Sequence, residues 1–130
     1  MSQELWQQLK SEAQQVIQQE PLLASYVTAC VLNHNNLKSA LSFILANKLS
    51  NNVMPAAIVQ ELFGKAFSES PNIIEDASCD IKAVFERDAA VSTHLAVILY
   101  MKGFQSIQVH RLAHFLWLND RKELALFMQS

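Results

Sequence analysis

Glycine, proline and cysteine are all scarce in this sequence, and the scarcity of each excludes a class of protein. The 130 residues include two glycines and three prolines, whereas average usage would give about nine and about six. β-Sandwiches and dinucleotide-binding folds need glycine for tight turns and phosphate loops, so both are excluded. Because 51% of the residues are hydrophobic, the chain as a whole is not disordered. The composition therefore predicts an all-α protein.

The two cysteines, Cys30 and Cys79, are too few for a disulfide framework. Both lie in apolar or helical-looking sequence, so we expect two small buried thiols in a reducing compartment.

The sequence also lacks a strong charge of one sign and a long apolar run. Ten basic and twelve acidic residues give a formal net charge of −2, without the basic excess of a nucleic-acid-binding protein. The longest stretches without a charged residue are 21–37, which an Asn-His-Asn-Asn cluster interrupts, and 89–101. The second is shorter than the ~20 residues that a membrane-spanning helix needs. Residues 1–20 are too polar for a secretory signal. We therefore expect a cytoplasmic protein that binds neither nucleic acid nor a membrane.

Apolar residues recur at three- and four-residue steps, and turn-forming residues divide them into short segments. Asn35 or Asn36 is a candidate N-cap, and Ser70 followed by Pro71 is another helix start. Gly103 is expected to let two helices bend or approach closely, or to bend a single one. The predicted helices cover residues 3–18, 21–32, 37–49, 55–67, 71–87, 93–101 and 103–118, and a last one begins near 121.

The core-facing side chains predicted for helix 55–67 are Ile58, Leu62, Phe63 and Ala66. Helix 103–118 is apolar over so much of its surface that we expect it to be buried on more than one side. The last helix stays apolar almost to Ser130, without a polar tail, so we expect the natural chain to continue.

Two groups of residues are candidates for chemistry. His110 and His114 are four residues apart on one helix, the spacing that can present two imidazoles to a metal, with His94 or a distant carboxylate as a third ligand. The glutamate of the zinc-hydrolase motif is missing, so packed or interface histidines are the favoured interpretation and no metal is predicted. Asp88, after Glu86 and Arg87 at a predicted helix end, is by itself best interpreted as a cap for the next helix.

Several segments together resemble bacterial serine acetyltransferases, and the resemblance extends over nearly the whole chain. The most specific combination is Asn47-Lys48-Leu49-Ser50 at a helix end, Arg87-Asp88, and Leu99-Tyr100-Met101-Lys102-Gly103-Phe104. The other matching segments are Glu20-Pro21-Leu22-Leu23-Ala24-Ser25, Val53-Met54-Pro55-Ala56, Asp80-Ile81-Lys82-Ala83-Val84 and Arg111-Leu112-Ala113-His114-Phe115-Leu116-Trp117.

The resemblance implies a fold and an activity. Residues 1–130 correspond to the family's helical N-terminal domain. The turn-forming residues described above divide it into about seven or eight short helices, which we expect to form a bundle. The family's C-terminal left-handed β-helix is absent from this sequence. The whole enzyme transfers acetyl from acetyl-CoA to the serine hydroxyl in cysteine biosynthesis, and its helical domains join two trimers into a hexamer. Cysteine inhibits at the serine site, and the C-terminal tail binds O-acetylserine sulfhydrylase.

One site residue carries over from the family. Asp88 matches the aspartate that reaches into the serine pocket, where a carboxylate can pair with the substrate ammonium. The family commonly has proline next, whereas this chain has Ala89, which leaves φ unrestrained there.

None of His34, His94, His110 and His114 matches the family's catalytic histidine. We therefore expect this chain to contain no catalytic residue, to bind no cofactor, to self-associate and to be inactive alone. The alternative is a standalone helical interaction module without catalysis.

Overall fold

The computed structural model describes residues 2–130, with side chains from residue 3 onward, and this part of the chain contains eight α-helices and no strand. The predicted all-α fold is confirmed. The helices are α1 (Ser2–Gln19), α2 (Ala24–Val27), α3 (Leu37–Leu49), α4 (Ala56–Glu69), α5 (Pro71–Arg87), α6 (His94–Tyr100), α7 (Lys102–Leu118) and α8 (Lys122–Gln129).

The segment predicted as one helix from 21 to 32 is helical throughout, but its hydrogen bonding changes twice. It opens as a 3₁₀ turn at Pro21–Leu23, continues as α2 and ends as a π-helix at Thr28–Leu32. The amide of Asn33 donates to the carbonyl of Thr28 at 2.9 Å, which is the wider spacing of a π turn. Residue propensities do not predict this change.

Asn36 and Ser70 both precede a helix as predicted, but only Asn36 uses its side chain as a cap. The Asn36 side chain accepts from the Ser39 amide at 2.8 Å, so Asn36 is the N-cap of α3. Ser70 precedes Pro71 as predicted, yet its hydroxyl makes no capping hydrogen bond. Pro55 is itself the N-cap of α4, with extended ψ of 143°. The helix predicted over 55–67 therefore begins one residue later and continues to Glu69.

One hydrophobic core contains side chains from all eight helices described above. Each large side chain fully buried in it contributes roughly 1.5–3 kcal/mol relative to exposure. The prediction that Ile58 faces the core is wrong, because it is 47% exposed and its neighbour Val59 is buried instead. The largest apolar side chains with under 2% exposure are Phe63, Phe67, Leu9, Leu41, Leu45, Ile81, Leu95, Ile98, Leu99, Leu112 and Leu116.

The two cysteines differ, which corrects the expectation that both are buried. Cys30 is 5% exposed in the core, whereas Cys79 is exposed and both are free thiols. Cys79 lies on α5 directly after the buried pair Ala77 and Ser78, so the helical repeat turns it toward the outer face.

Helices α6 and α7 meet at a single non-helical residue, Met101. The side-chain nitrogen of Gln105, Nε2, donates to the carbonyls of Ile98 and Leu99 at 3.0 and 3.1 Å, and so satisfies two of the last carbonyls of α6. Gly103 does not permit a close approach as predicted, because no atom apart from the adjacent residues and the backbone of its own helix lies within 4 Å of the position that a Cβ would occupy. No helix in residues 2–130 is long and apolar enough to cross a membrane.

Candidate substrate-binding loop

Asp88 begins the loop 88–93, which connects α5 to α6. It is the C-cap of α5, and its amide donates to the Val84 carbonyl at 3.0 Å. One carboxylate oxygen, Oδ1, accepts from the Ala90 amide at 2.9 Å. The Asp88 carbonyl accepts from the Val91 amide at 3.1 Å. Asp88 therefore holds a tight turn in which its own side chain is half-buried.

Only Oδ1 of the Asp88 carboxylate is engaged within residues 2–130, and no basic side chain of that part forms an ion pair with it. A carboxylate has room for several donors, so Oδ2 is available to an incoming cation. Glu86 and Arg87 do not join it: both are exposed, and the Arg87 Nε donates to the Ala83 carbonyl of its own helix at 3.2 Å.

The interpretation of Asp88 as the cap of the following helix is wrong. Thr93 is the N-cap of α6, and its hydroxyl accepts from the Ala96 amide at 3.0 Å. Asp88 lies five residues earlier and bonds only within its own turn. Its carboxylate is therefore not used in stabilising α6.

The start of α6 is held from outside by Glu12 of α1, which is only 6% exposed. Its Oε1 accepts from the Leu95 amide at 2.9 Å, and its Oε2 accepts from His94 Nδ1 at 2.9 Å and from the Gln8 side-chain amide at 3.0 Å. Burial raises the pKa of Glu12, but these hydrogen bonds and the charge of His94 outweigh it and hold the pKa below its ordinary value. The carboxylate is therefore ionised at neutral pH.

His94 also contacts α5, so it connects three helices. Its ring stacks on Phe85 with centroids 3.9 Å apart and planes 19° from parallel. Phe85 lies three residues before Asp88, in the last turn of α5. The stack therefore joins the two ends of the loop that carries Asp88.

A second polar cluster links α5 to α7. Asp80 Oδ2 accepts from Arg111 Nη1 at 2.6 Å and from the Gln108 side-chain nitrogen at 2.9 Å. Arg111 also donates to the Gln108 oxygen at 2.9 Å, so the three side chains close a ring of hydrogen bonds. Gln108 has no exposed surface, and an unpaired amide there would be costly.

The structure brings no third ligand to the histidine pair within residues 2–130. His110 and His114 are both exposed, and His94, the third ligand considered, is bonded to Glu12. Across residues 2–130, no group of three or more His, Cys, Asp or Glu side chains is placed to hold a metal ion. The spacing of two histidines is therefore a feature of the α7 surface, where both line a cleft of about 440 Å³ with Asp76 and Phe115.

Comparison with known proteins identifies the domain. The family model for "Serine acetyltransferase, N-terminal" matches residues 5–109. The chain belongs to this family. The serine acetyltransferase of Haemophilus influenzae is 45% identical over 130 residues, which are all of this chain and 49% of that protein. The Escherichia coli K12 enzyme is 44% identical over 126 residues, 97% of this chain and 46% of its own length. This serine acetyltransferase N-terminal domain thus spans about half the length of these relatives.

Solved structures of serine acetyltransferases have the same fold. One in complex with cysteine has a TM-score of 0.95 at 45% identity, over 99% of this chain and 54% of the other. One in complex with CoA has a TM-score of 0.96 at 45% identity, over 99% and 55%. The soybean enzyme complexed with serine has a TM-score of 0.91 at 40% identity, over 95% and 51%.

Sequence reasoning missed Glu12, Gln105 and Gln108 in this serine acetyltransferase domain, although a signal was present for Glu12 and Gln108. Glu12 lies three residues after Leu9 and four before Val16, on the apolar side of α1. Gln108 lies midway between Phe104 and Leu112 on the buried face of α7. A polar residue in a buried helical register must find a buried partner, and that rule predicts a hydrogen-bonded side chain at each position without naming the partner.

Proposed function

We propose that this chain is the helical assembly and substrate-pocket domain of a serine O-acetyltransferase, which transfers acetyl from acetyl-CoA to L-serine. The observation that carries the proposal is the Asp88 carboxylate, which a tight turn holds half-buried with one oxygen free. Family membership gives that carboxylate its proposed partner, the ammonium group of serine. Such a charge-assisted contact is worth about 1.5–3 kcal/mol.

The relatives' ligands support an amino-acid site. Solved relatives are complexes with serine and with cysteine, and both ligands carry the ammonium group that an aspartate can bind. In the proposed enzyme, cysteine competes with serine at this pocket, and O-acetylserine sulfhydrylase binds a C-terminal tail outside this chain. The bacterial relatives support a cytoplasmic location, although a plant relative, from Arabidopsis thaliana, is named chloroplastic.

The proposal assigns acetyl transfer itself to the part of the enzyme that lies outside these 130 residues. In the family, a histidine acts as the general base on the serine hydroxyl, and none of the four histidines of this chain matches it. His34 is engaged by the Ser39 hydroxyl and the Ala29 carbonyl at 2.7 and 2.8 Å, and His94 is engaged by Glu12. His110 and His114 are exposed on α7 and line a cleft that does not include Asp88. A relative binds CoA, and we expect its CoA site in the half that this chain does not cover.

Turnover measurements on the 130-residue chain test this assignment. With serine and acetyl-CoA, we expect no O-acetylserine above background when products are separated by chromatography. The H. influenzae enzyme is the positive control. Product formed in proportion to the concentration of this chain would contradict the assignment.

The role of Asp88 can be tested in a chimera that joins residues 1–130 to the remaining C-terminal part of the H. influenzae enzyme. Asp88→Asn keeps the size of the side chain and removes its charge. We expect the KM for serine to rise roughly ten- to hundredfold, from the loss of one charge-assisted contact, with the KM for acetyl-CoA unchanged. Glu86→Gln, two residues away and exposed, is the matched control. An active chimera in which Asp88→Asn leaves the serine KM unchanged would refute the role.

Self-association is the second part of the proposal, with the family hexamer of two trimers as the expected assembly. Large apolar side chains are exposed at two places: Val53 and Ile58 at and before α4, and Ile107, Trp117 and Leu118 on α7, at 47–91% exposure. Such exposure is typical of a surface that packs against another chain. We expect light scattering to show oligomers, and a clean monomer at high concentration would count against this part.

The same exposed side chains favour the alternative of a helical module that binds another protein without catalysis. The chimera separates the two functions. An active chimera supports the enzyme domain, whereas a folded, oligomeric but inactive chimera supports the interaction module.

A further inference from the structure

We propose that Glu12 is a positioning residue for the serine pocket, because it holds the loop 88–93 that carries Asp88. The inference rests on the proposed function, since it concerns the same carboxylate. It is carried by the buried Glu12 side chain, 76 positions before Asp88, which bonds to the first two residues of α6, directly after this loop.

The first step is the position of Glu12 itself. Its neighbours Leu9 and Ala13 have no exposed surface, so the core fixes this turn of α1. The Gln8 side chain, one turn earlier, donates to Glu12 Oε2 at 3.0 Å. Contacts within α1 and with the core therefore orient the carboxylate independently of its bonds to α6.

The second step is the contact with α6. The two carboxylate oxygens accept from successive residues of its first turn, the backbone of Leu95 and the ring of His94. An anion at this position also interacts favourably with the positive end of the helix. Since α6 has only seven residues, two bonds to its first turn set both its position and its rotation relative to α1.

The third step leads from α6 to Asp88. The His94 ring, oriented by its bond to Glu12, stacks on Phe85 at 3.9 Å. Phe85 and His94 stand on either side of the loop, so the stack sets the distance between its ends. Six residues span that distance, and the Asp88 turn lies at one end. A shift of α6 would therefore change the direction of the free Asp88 oxygen.

Amide hydrogen exchange on the 130-residue chain, followed by NMR, tests the structural half of the inference. A residue that only caps α6 would affect the Leu95 amide, whereas a residue that holds the loop must also affect Ala90 and Val91. We expect Glu12→Ala to speed exchange at all three amides at least about fivefold, the effect of losing a cap of ~1 kcal/mol. These changes are measured relative to the buried amide of Phe63. Glu4→Ala, on the exposed face of α1, is the control. Faster exchange at Leu95 alone would overturn the inference.

Serine kinetics in the chimera test the functional half. We expect Glu12→Ala to raise the serine KM about tenfold, with kcat and the acetyl-CoA KM within about twofold. Glu12→Gln, whose side-chain oxygen can still accept from the Leu95 amide, should raise the serine KM less than Glu12→Ala does. It replaces Glu12→Ala in the test if that variant folds poorly. If Asp88→Asn raises the serine KM but Glu12→Ala and Glu12→Gln both leave it unchanged, the inference about Glu12 is overturned and the proposed function stands. An unchanged KM in Asp88→Asn refutes the proposed function, while the exchange experiment still decides whether Glu12 holds the loop.

Discussion

Removing the Asp80 carboxylate should cost far more than removing its neighbour Asp76 on the same helix. Asp80→Ala leaves one donor of the fully buried Gln108 amide without an acceptor, which costs about 1–3 kcal/mol. It also breaks the pair with Arg111. Since both side chains of that pair are about a quarter exposed, at 26% and 27%, its loss is worth about 1 kcal/mol, at the upper end for surface pairs. Urea unfolding at neutral pH should show Asp80→Ala to be roughly 2–4 kcal/mol less stable than Asp76→Ala.

Asp76→Ala is the matched control, because the residue is exposed, lies one turn earlier on α5 and makes no hydrogen bond in the described part of the chain. Both substitutions gain the same helix propensity of alanine, about 0.5 kcal/mol, so the difference between the two variants isolates the cluster. Unfolding is followed by far-ultraviolet circular dichroism at one fixed protein concentration, since self-association would change the apparent stability. A difference below about 0.5 kcal/mol would show that the cluster adds no net stability and refute the reasoning.

Three further predictions concern acid stability, thiol reactivity and the core. Glu12 has a folded-state pKa below its ordinary value, so its contribution to the free energy of unfolding is complete above pH ~4.5 and is lost as pH falls through the lowered pKa. The unfolding midpoints of Glu12→Gln should lack this loss of stability in acid, and identical pH profiles for the two proteins would contradict the prediction. A thiol reagent should modify the exposed Cys79 promptly and Cys30 only on unfolding, because burial raises the pKa of the Cys30 thiol and blocks access. Equal modification rates at the two cysteines, followed by mass spectrometry, would count against this prediction. Phe63→Ala should lower the free energy of unfolding by about 3–5 kcal/mol, and Trp117→Ala, at a half-exposed site, by far less; similar losses in denaturant titrations would be inconsistent with the core described.

Most helix positions in this fold follow from short-range rules. Pro71 starts α5 and Asn36 caps α3, because each satisfies or removes the free amides of a first helical turn. The exception shows the limit of such rules: Ser70 occupies a capping position without using its hydroxyl. No local preference in the sequence predicts the π-helical end at Thr28–Leu32, which carries the buried Cys30 and Val31.

The candidate site was predictable in part. The resemblance to the family pointed to Asp88, and the structure adds its turn and its free oxygen. The support for the loop was not predictable, because Glu12 and Leu95 are 83 positions apart and no local pattern pairs them. Periodicity can show that a polar residue faces the core, but only the fold shows which donor it meets.

The separation of 83 residues between Glu12 and the Leu95 amide also sets an order of events during synthesis. At about 5–20 residues per second, residue 95 is made roughly 4–17 s after residue 12. During that interval the Glu12 carboxylate has no partner in α6 and stays hydrated, since burying it alone would be unfavourable. The first helix to be made therefore packs early against the segment 21–32 that follows it, whereas its contact with α6 forms only after α6 has emerged.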